Sequence, residues 1–189
     1  MRVTLEAFAD MCAVPVALAG PMRVKGSEID NIVANPHLMR KVIASGRARE
    51  VTILGHTAWR WTTPHGQTVT AILDMGVVEF VSVVNVARID SAPVRVVDAI
   101  YRRRNGILPK GFVAAYYMYL VETFGAVATS DEQYIDGERF WHRLIEKACA
   151  EGHSIYAYDM RDGKHIEFST DLWGDAPRNR DFRVIIRRN

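Results

Sequence analysis

The chain has 189 residues, of which 49% are apolar and 24% charged, so it is long enough for one globular domain with a sizeable core. Its 24 Lys and Arg residues against 22 Asp and Glu residues give a net charge of +2, too small to indicate a nucleic-acid partner from composition. Cys12 and Cys149 are the only cysteines, which excludes a disulfide framework and a cysteine zinc pattern. No apolar run reaches the roughly 20 residues of a membrane span, and the first residues lack the pattern of a signal peptide. We therefore expect a cytoplasmic protein without membrane contact.

The first half of the chain changes from helical to strand patterns. Residues 14–18 could form a strand, and the apolar spacing across 27–45 predicts helices, the second from Pro36 to a stop at Gly46. Period-two patterns then predict a strand over 51–61, a turn over 62–66 and a returning strand over 69–73. Residues 77–88 are apolar on both faces, which predicts a strand inside a sheet. A turn at 90–93 and a strand over 94–103 complete an antiparallel meander.

The second half predicts helix, strand, helix and hairpin. A helix from Gly111 has four large apolar residues at spacing four, on a face expected to pack on the sheet: Phe112, Tyr116, Leu120 and Phe124. Residues 127–129 predict a short strand, and a second helix runs from Asp136 to a stop at Gly152. Residues 154–158 and 164–169 predict a hairpin, 171–180 a polar tail, and 184–186 an edge strand. We expect one domain over 1–189, of α/β (α+β) class, with a mixed, mostly antiparallel central sheet flanked by helices.

Residues 105–144 carry the most informative motif. A loop ending in Pro109-Lys110-Gly111 precedes the first of the two helices. The motif consists of small, aromatic and polar residues at fixed spacing: Gly111, Ala114, Ala115, Tyr116, Tyr117 and Leu120, followed by Ser130, Asp131, Gln133, Gly137, Trp141 and Leu144. This pattern and the order of elements resemble the GCN5-related N-acetyltransferase (GNAT) fold, and more closely its divergent phage-encoded members.

The resemblance implies transfer of an acyl group from acetyl-CoA or another acyl-CoA to an amine. The pyrophosphate of CoA would bind at the helix start, where N–H groups and the helix dipole attract anions. The implied cofactor-binding residues are Arg103, Arg104, Lys110, Gly111, Phe112 and Val113. Gly111 matches the second glycine of the family's loop, while Pro109, which has no N–H, replaces the first and Leu108 replaces an Arg or Gln. A second alignment begins at Arg103, includes Gly106 and then lacks the second glycine.

Acyl transfer to an amine requires a base to accept the amine proton. The resemblance implies a base on the strand before the loop, where Asp98 is the nearest carboxylate and Glu79 is an alternative one strand earlier. The family's acid is commonly a tyrosine on the second helix; Trp141 is there instead, which leaves Tyr134 as a substitute. Structural alternatives also stand: Glu79 as a residue at the sheet rim, and Ser130 with Gln133 as a capping box. The six histidines lack metal-ligand spacing, so we expect no metal site.

Three functions stay open, and with them the question of whether the chain is an enzyme. The first is an acyl-CoA-dependent N-acyltransferase with an unknown amine acceptor. The second is a cofactor-free protein of the same fold, for instance a phage protein that binds a host enzyme or belongs to the virion. It would expose an apolar or basic surface formed by Trp59, Trp61, Arg178, Arg180 and Arg183. The third, nucleic-acid modification or binding, rests on arginine clusters near aromatic residues.

Overall fold

The computed structural model of the chain describes residues 36–130, 135–168 and 181–189. The helices in these ranges are α1 (Pro36–Ala44), α2 (Phe112–Phe124) and α3 (Ile135–Ala150). The strands are β1 (Arg49–Ile53), β2 (His56–Thr62), β3 (Thr68–Asp74), β4 (Val77–Ile89), β5 (Ala92–Arg102), β6 (Ala126–Ala128), β7 (Ser154–Asp159), β8 (Lys164–Ile166) and β9 (Phe182–Arg187). The strand predicted at 14–18, the first of the two helices predicted across 27–45 and the polar tail over 171–180 lie outside the described residues.

The strands form one open sheet in the order β1-β2-β3-β4-β5-β6-β9-β7-β8. Strands β5 and β6 are parallel, and α2 connects them, as a parallel pair requires. The ladders of β1 with β2, β2 with β3, β3 with β4, and β9 with both β6 and β7 are antiparallel. The predicted α+β class with a mostly antiparallel sheet is confirmed.

Short two-residue turns join three of the strand pairs. Both turn residues have positive φ at Leu54-Gly55 (50° and 81°), Met75-Gly76 (47° and 81°) and Asp90-Ser91 (52° and 63°). Positive φ at both positions defines the type I′ turn, whose twist matches that of the two strands it connects. The prediction of one continuous strand over 51–61 is wrong, because the first of these turns divides it. Apolar residues continue on both sides of that turn, so the sequence pattern did not reveal it.

The described residues divide into two compact units. The first holds those up to Asn85 together with Asp98–Tyr116, and the second holds Val86–Val97 together with those from Tyr117 onward. Strands β4 and β5 and helix α2 therefore each contribute residues to both units. A single domain over 1–189 stays a prediction.

The first unit packs apolar residues on both faces of its strands. One face forms a core with α1, in which Met39 and Val81 are fully buried and Trp61 is 5% exposed. On β4, Phe80 contacts the rings of Phe112 and Tyr116 at 5.1 and 4.9 Å between centroids. The packing of α2 on the sheet and the buried position of β4 are therefore confirmed. The expectation of an exposed surface at Trp59 and Trp61 is wrong, because Trp61 is buried in this core and Trp59 packs against it as a partly buried residue. Arg178 and Arg180, predicted for the same surface, lie outside the described residues.

The second unit contains a strand that the sequence placed wrongly. We predicted residues 184–186 as an edge strand, but β9 lies between β6 and β7 and pairs with both. Its residues Val184, Ile185 and Ile186 are buried. In the same unit, Trp141 is 4% exposed and contacts the ring of Tyr117, with centroids 5.5 Å apart, so this tryptophan belongs to the core. None of the described helices is long and apolar enough to cross a membrane.

Candidate functional site

The loop between β5 and α2, residues 103–111, holds most of the predicted site residues and lies in the first unit. It leaves the carboxyl end of β5 and turns at Asn105, which has a φ of 58°, and again at Gly111, with a φ of 81°. Both residue types tolerate this left-handed conformation. Arg103, Arg104 and Lys110 are exposed. The local fold therefore places three cationic side chains before the start of a helix.

Glu79 fixes the shape of this loop. Its side chain is 1% exposed, and Oε1 accepts a hydrogen bond from the guanidinium of Arg103 at 2.9 Å. Oε2 accepts the backbone N–H of Ile107 at 3.0 Å, and the Glu79 carbonyl accepts the backbone N–H of Arg103 at 2.8 Å. A buried carboxylate is costly unless it is paired and hydrogen-bonded. The loop supplies both, so Glu79 and the loop stabilise each other.

Gly106 allows the loop to approach this carboxylate. A Cβ at Gly106 would lie 1.8 Å from Oε2 of Glu79 and 2.9 Å from its Cδ, which is shorter than any normal contact. A residue larger than glycine would therefore displace the carboxylate or the loop. The sequence offered Gly106 as part of an alternative phosphate motif; in the structure it makes room for Glu79.

The three consecutive arginines at the end of β5 have different environments. Arg102 is 4% exposed, and its Nη2 donates to the carbonyl of Leu108 at 2.7 Å. Arg103 is bound to Glu79, and Arg104 is exposed. Leu108, which stands in place of the family's Arg or Gln, is 3% exposed and belongs to the core. The buried side chains of Arg102 and Leu108 therefore stabilise the loop on its core side, and Arg104 is exposed to solvent.

The first turn of α2 is covered. The N–H of Phe112 donates to the carbonyl of Pro109 at 3.1 Å, and both Phe112 and Val113 are 2% exposed. His56 packs edge-on against the ring of Phe112, with centroids 5.6 Å apart. Of the predicted cofactor-binding residues, Arg103, Arg104 and Lys110 face solvent and Gly111 is partly exposed. Phe112 and Val113 are buried.

Asp98 has different surroundings, on β5 in the same unit. Its Oδ2 accepts a hydrogen bond from Nε2 of Gln67 at 3.1 Å and another from Nδ2 of Asn85. All three side chains are partly exposed. This carboxylate is therefore oriented by two neutral amides and stays within reach of solvent. Sequence reasoning missed Gln67 and Asn85, although an asparagine among the apolar residues of β4 was a visible signal.

Tyr101, the penultimate residue of β5, is close enough to Glu79 and Arg103 for their charges to affect its pKa. Burial raises the pKa of its phenol above the ordinary value of 10.0; the guanidinium of Arg103 lowers the pKa and the carboxylate of Glu79 raises it further. The net direction is upward, so burial prevails over the opposing charge of Arg103.

Two further predictions concern an acid and a metal. Tyr134, predicted as a possible acid, lies outside the described residues. Across 36–130, 135–168 and 181–189, no three His, Cys, Asp or Glu side chains form a group that could hold a metal ion.

Comparison of the chain with protein-family models, with curated proteins and with solved structures found no match.

Proposed function

We propose that this protein is a GNAT-like N-acyltransferase that moves an acyl group from acyl-CoA to an amine. One observation carries the proposal: Asp98, a carboxylate within reach of solvent, lies on the strand that leads into a loop with three exposed cations. A base and an anion-binding loop are the two parts that this reaction needs. The residue pattern that resembles the GNAT fold gives independent support.

The phosphates of CoA are held mainly by side chains in this proposal. The N–H of Ile107 is already bonded to Glu79, and that of Phe112 to Pro109. Arg104 and Lys110 are exposed and carry cationic groups of the kind that bind phosphate oxygens. The loop that presents them has its shape fixed beforehand by Glu79 and Arg102, which lowers the entropy cost of binding.

The spacing along β5 distinguishes the two candidate bases. Asp98 precedes Arg103 by five residues, about 16 Å of extended chain at roughly 3.3 Å per residue. The pantetheine arm of CoA separates the pyrophosphate from the thioester by a comparable length. Glu79, in contrast, is bonded to the loop itself. With the phosphates at the loop, Asp98 can reach the thioester and Glu79 lies at the other end of the arm.

The reaction then follows directly. Asp98 accepts a proton from the amine, whose nitrogen forms a bond to the thioester carbonyl carbon as the carbon–sulfur bond breaks. The departing thiolate takes up a proton and leaves as CoA, and release of the proton that Asp98 accepted balances this step and regenerates the base. Binding both substrates in one orientation and removing the amine proton supply the rate enhancement.

Binding measurements test the proposal without knowledge of the acceptor. Isothermal calorimetry with acetyl-CoA should give a saturable signal, and acetyl-CoA should raise the melting temperature. Lys110→Ala should weaken binding by about five- to tenfold, since it removes one charged contact to phosphate. Lys164→Ala, which removes an exposed lysine of β8, is the matched control and should leave binding unchanged. No heat and no thermal protection at millimolar acetyl-CoA would rule the proposal out.

A second function is favoured because backbone groups of the loop already have hydrogen-bond partners within the chain. The N–H of Ile107, the carbonyl of Leu108 and the first turn of α2 are all satisfied or covered by the chain itself. A cofactor-free binding protein of GNAT-like fold would have such a loop, because a rigid loop can serve as a contact surface. This alternative predicts no binding of acetyl-CoA, and weakened binding of a protein partner on substitution of Arg104, the exposed arginine of the loop.

A further inference from the structure

Two type I′ turns of the first unit carry exposed apolar residues at one end of the sheet. Leu54-Gly55 joins β1 to β2, and Met75-Gly76 joins β3 to β4. Strands β2 and β3 each extend three residues beyond the last pair of their ladder, Trp59 with Ala71, so both turns project from the same end. Met75 is 96% exposed and Leu54 41%. Two long apolar side chains therefore stand in solvent at neighbouring turns.

The loop after β5 adds apolar side chains at this end of the sheet. The backbone N–H of Ile107 is bonded to Glu79, which lies two residues after Val77, the first residue of β4. Ile107 is 53% exposed and Val77 41%. Six large apolar residues are exposed in the described part of the chain, and four of them lie here. These four form what we call the turn surface: Leu54, Met75, Val77 and Ile107.

The two turns use residue types that their backbone conformation disfavours. The φ angle is 50° at Leu54 and 47° at Met75, and a bulky side chain at positive φ is strained. Type I′ turns favour Asn, Asp or Gly at this position, and the third such turn in the chain, Asp90-Ser91, has polar residues. Strain and exposure of an apolar side chain both lower stability, and a binding role accounts for their occurrence together.

Cationic side chains surround the turn surface. Nη2 of Arg40 lies 2.3 Å from the position that a Cβ on Gly76 would take, so this guanidinium lies against the turn between β3 and β4. Residues 103–110 of the loop contribute three more exposed cations. The carboxylates nearest to this turn in sequence are the partly exposed Asp74 and the buried Glu79. Cations outnumber carboxylates, so this end of the molecule attracts an anionic partner.

We infer that the turn surface binds the surface of an anionic phospholipid bilayer. Its apolar side chains enter the headgroup layer, and the cations around them contact lipid phosphates. A stable protein interface buries about 800 Å² on each partner, more than these four side chains expose, whereas a fluid bilayer admits separate side chains. The expectation of no membrane contact concerned spanning segments, and contact with a bilayer surface requires none. This inference does not depend on acyl transfer.

Co-sedimentation of the full chain with lipid vesicles, without acetyl-CoA, tests the inference. We expect binding to phosphatidylcholine vesicles that contain about 30 mol% phosphatidylserine, and about tenfold weaker binding to phosphatidylcholine alone. Met75→Asn should weaken binding about tenfold, because it removes the most exposed apolar side chain. The same variant should keep or raise the melting temperature, because asparagine tolerates positive φ. Met160→Asn, at a 41% exposed methionine of the second unit, is the matched control and should bind normally.

Two further variants examine the second turn and the charge. Leu54→Asn applies the same change at the turn between β1 and β2 and should also weaken binding with no loss of melting temperature. Arg40→Gln should weaken binding about fivefold at low salt, and less at high salt. Lys164→Gln, at an exposed lysine of β8, is the control for charge and should have no effect.

Three results would overturn the inference. They are absence of binding to either kind of vesicle, equal binding to both kinds, and unchanged binding in Met75→Asn and Leu54→Asn. An acidic amphipathic helical peptide is the comparison probe for a protein partner. If this peptide binds and the vesicles do not, and Met75→Asn abolishes peptide binding, the turn surface takes a protein and the bilayer assignment is wrong.

Discussion

Two carboxylates of the same unit, Glu79 and Asp98, have opposite environments. Glu79 is 1% exposed and is bound by a guanidinium and a backbone N–H of the loop. Asp98 is partly exposed and is bound by the neutral amides of Gln67 and Asn85. The first arrangement uses the charge to hold the backbone of the loop. The second orients the carboxylate through hydrogen bonds from two amide groups.

The difference shows how burial separates structural from chemical roles. A fully buried charge must be matched inside the protein, and removing one partner leaves the other uncompensated. A partly exposed carboxylate is solvated on one side and can be reached by a ligand from solvent. Glu79 therefore holds the shape of the loop, and under the proposed function Asp98 is the base, so the two residues should respond differently to substitution.

Substitution of Asp98 should have the largest effect on activity. Asp98→Asn keeps the size of the side chain and removes the base, so turnover should fall by about 10²- to 10⁴-fold. The free energy of unfolding, measured by urea denaturation, should change by less than about 1 kcal/mol because the site is partly exposed. Asp74→Asn, at a partly exposed aspartate of β3, is the matched control and should keep full turnover. Undiminished turnover in Asp98→Asn would remove this residue from the mechanism.

Substitution of Glu79 should have the largest effect on stability. Glu79→Ala leaves the N–H of Ile107 without its acceptor and Arg103 without its partner. We expect the free energy of unfolding to fall by about 2–3 kcal/mol, the range for hydrogen bonds to charged groups. Glu50→Ala, on the exposed part of β1, should change it by no more than about 0.5 kcal/mol. If both variants unfold at the same urea concentration, the loop does not depend on Glu79.

Gly106 provides a test of how closely the loop and Glu79 are packed. Gly106→Ala should lower the free energy of unfolding by about 1–3 kcal/mol, the usual cost of overpacking. In the Glu79→Ala background the added methyl group has room, so the same substitution should be close to neutral. The double-mutant cycle reports this coupling directly. An equal cost in both backgrounds would place the strain elsewhere in the loop.

The smallest expected effect is on the titration of Tyr101. Its pKa is raised by burial and by the Glu79 carboxylate, against the lowering effect of Arg103. A raised pKa of a group that is neutral when protonated adds stability that is present below pH 10.0, the ordinary value, and is lost as pH rises through the pKa of the folded protein. Glu79→Gln should lower the pKa of Tyr101, as measured by NMR of the ring, whereas Asp98→Asn should not. If the pKa of Tyr101 is the same in the two variants, the carboxylate of Glu79 does not act on Tyr101.

Local patterns in the sequence predicted the elements well where the pattern was long. The apolar faces of residues 77–88 predicted a buried strand, and α2 begins one residue after the Gly111 predicted to open it. The type I′ turn at Leu54-Gly55 was missed because its first residue is a leucine, which rarely adopts positive φ. The position of β9 was missed because strand neighbours distant in sequence are set by the tertiary fold.

The candidate site was predicted only in part, because its contacts also join segments that are distant in sequence. The sequence named Asp98, Glu79 and the cationic loop, because charged residues near a helix start are visible in one dimension. It did not distinguish the two carboxylates, since burial and hydrogen-bond partners depend on neighbouring strands. Gln67 lies 31 residues from Asp98 in sequence and Glu79 lies 28 from Ile107, yet these pairs define the two environments.

The sequence by itself determined the class of the fold, most element boundaries and the location of the cationic loop, because these follow from short-range periodicity and turn chemistry. Only the tertiary structure decided that Trp61 is core, that β9 lies between β6 and β7, and that Glu79 is bound to the loop while Asp98 accepts hydrogen bonds from Gln67 and Asn85. The physical reason is that burial of a charge and the identity of its partners are properties of contacts between distant segments, and these form only when the strands pair.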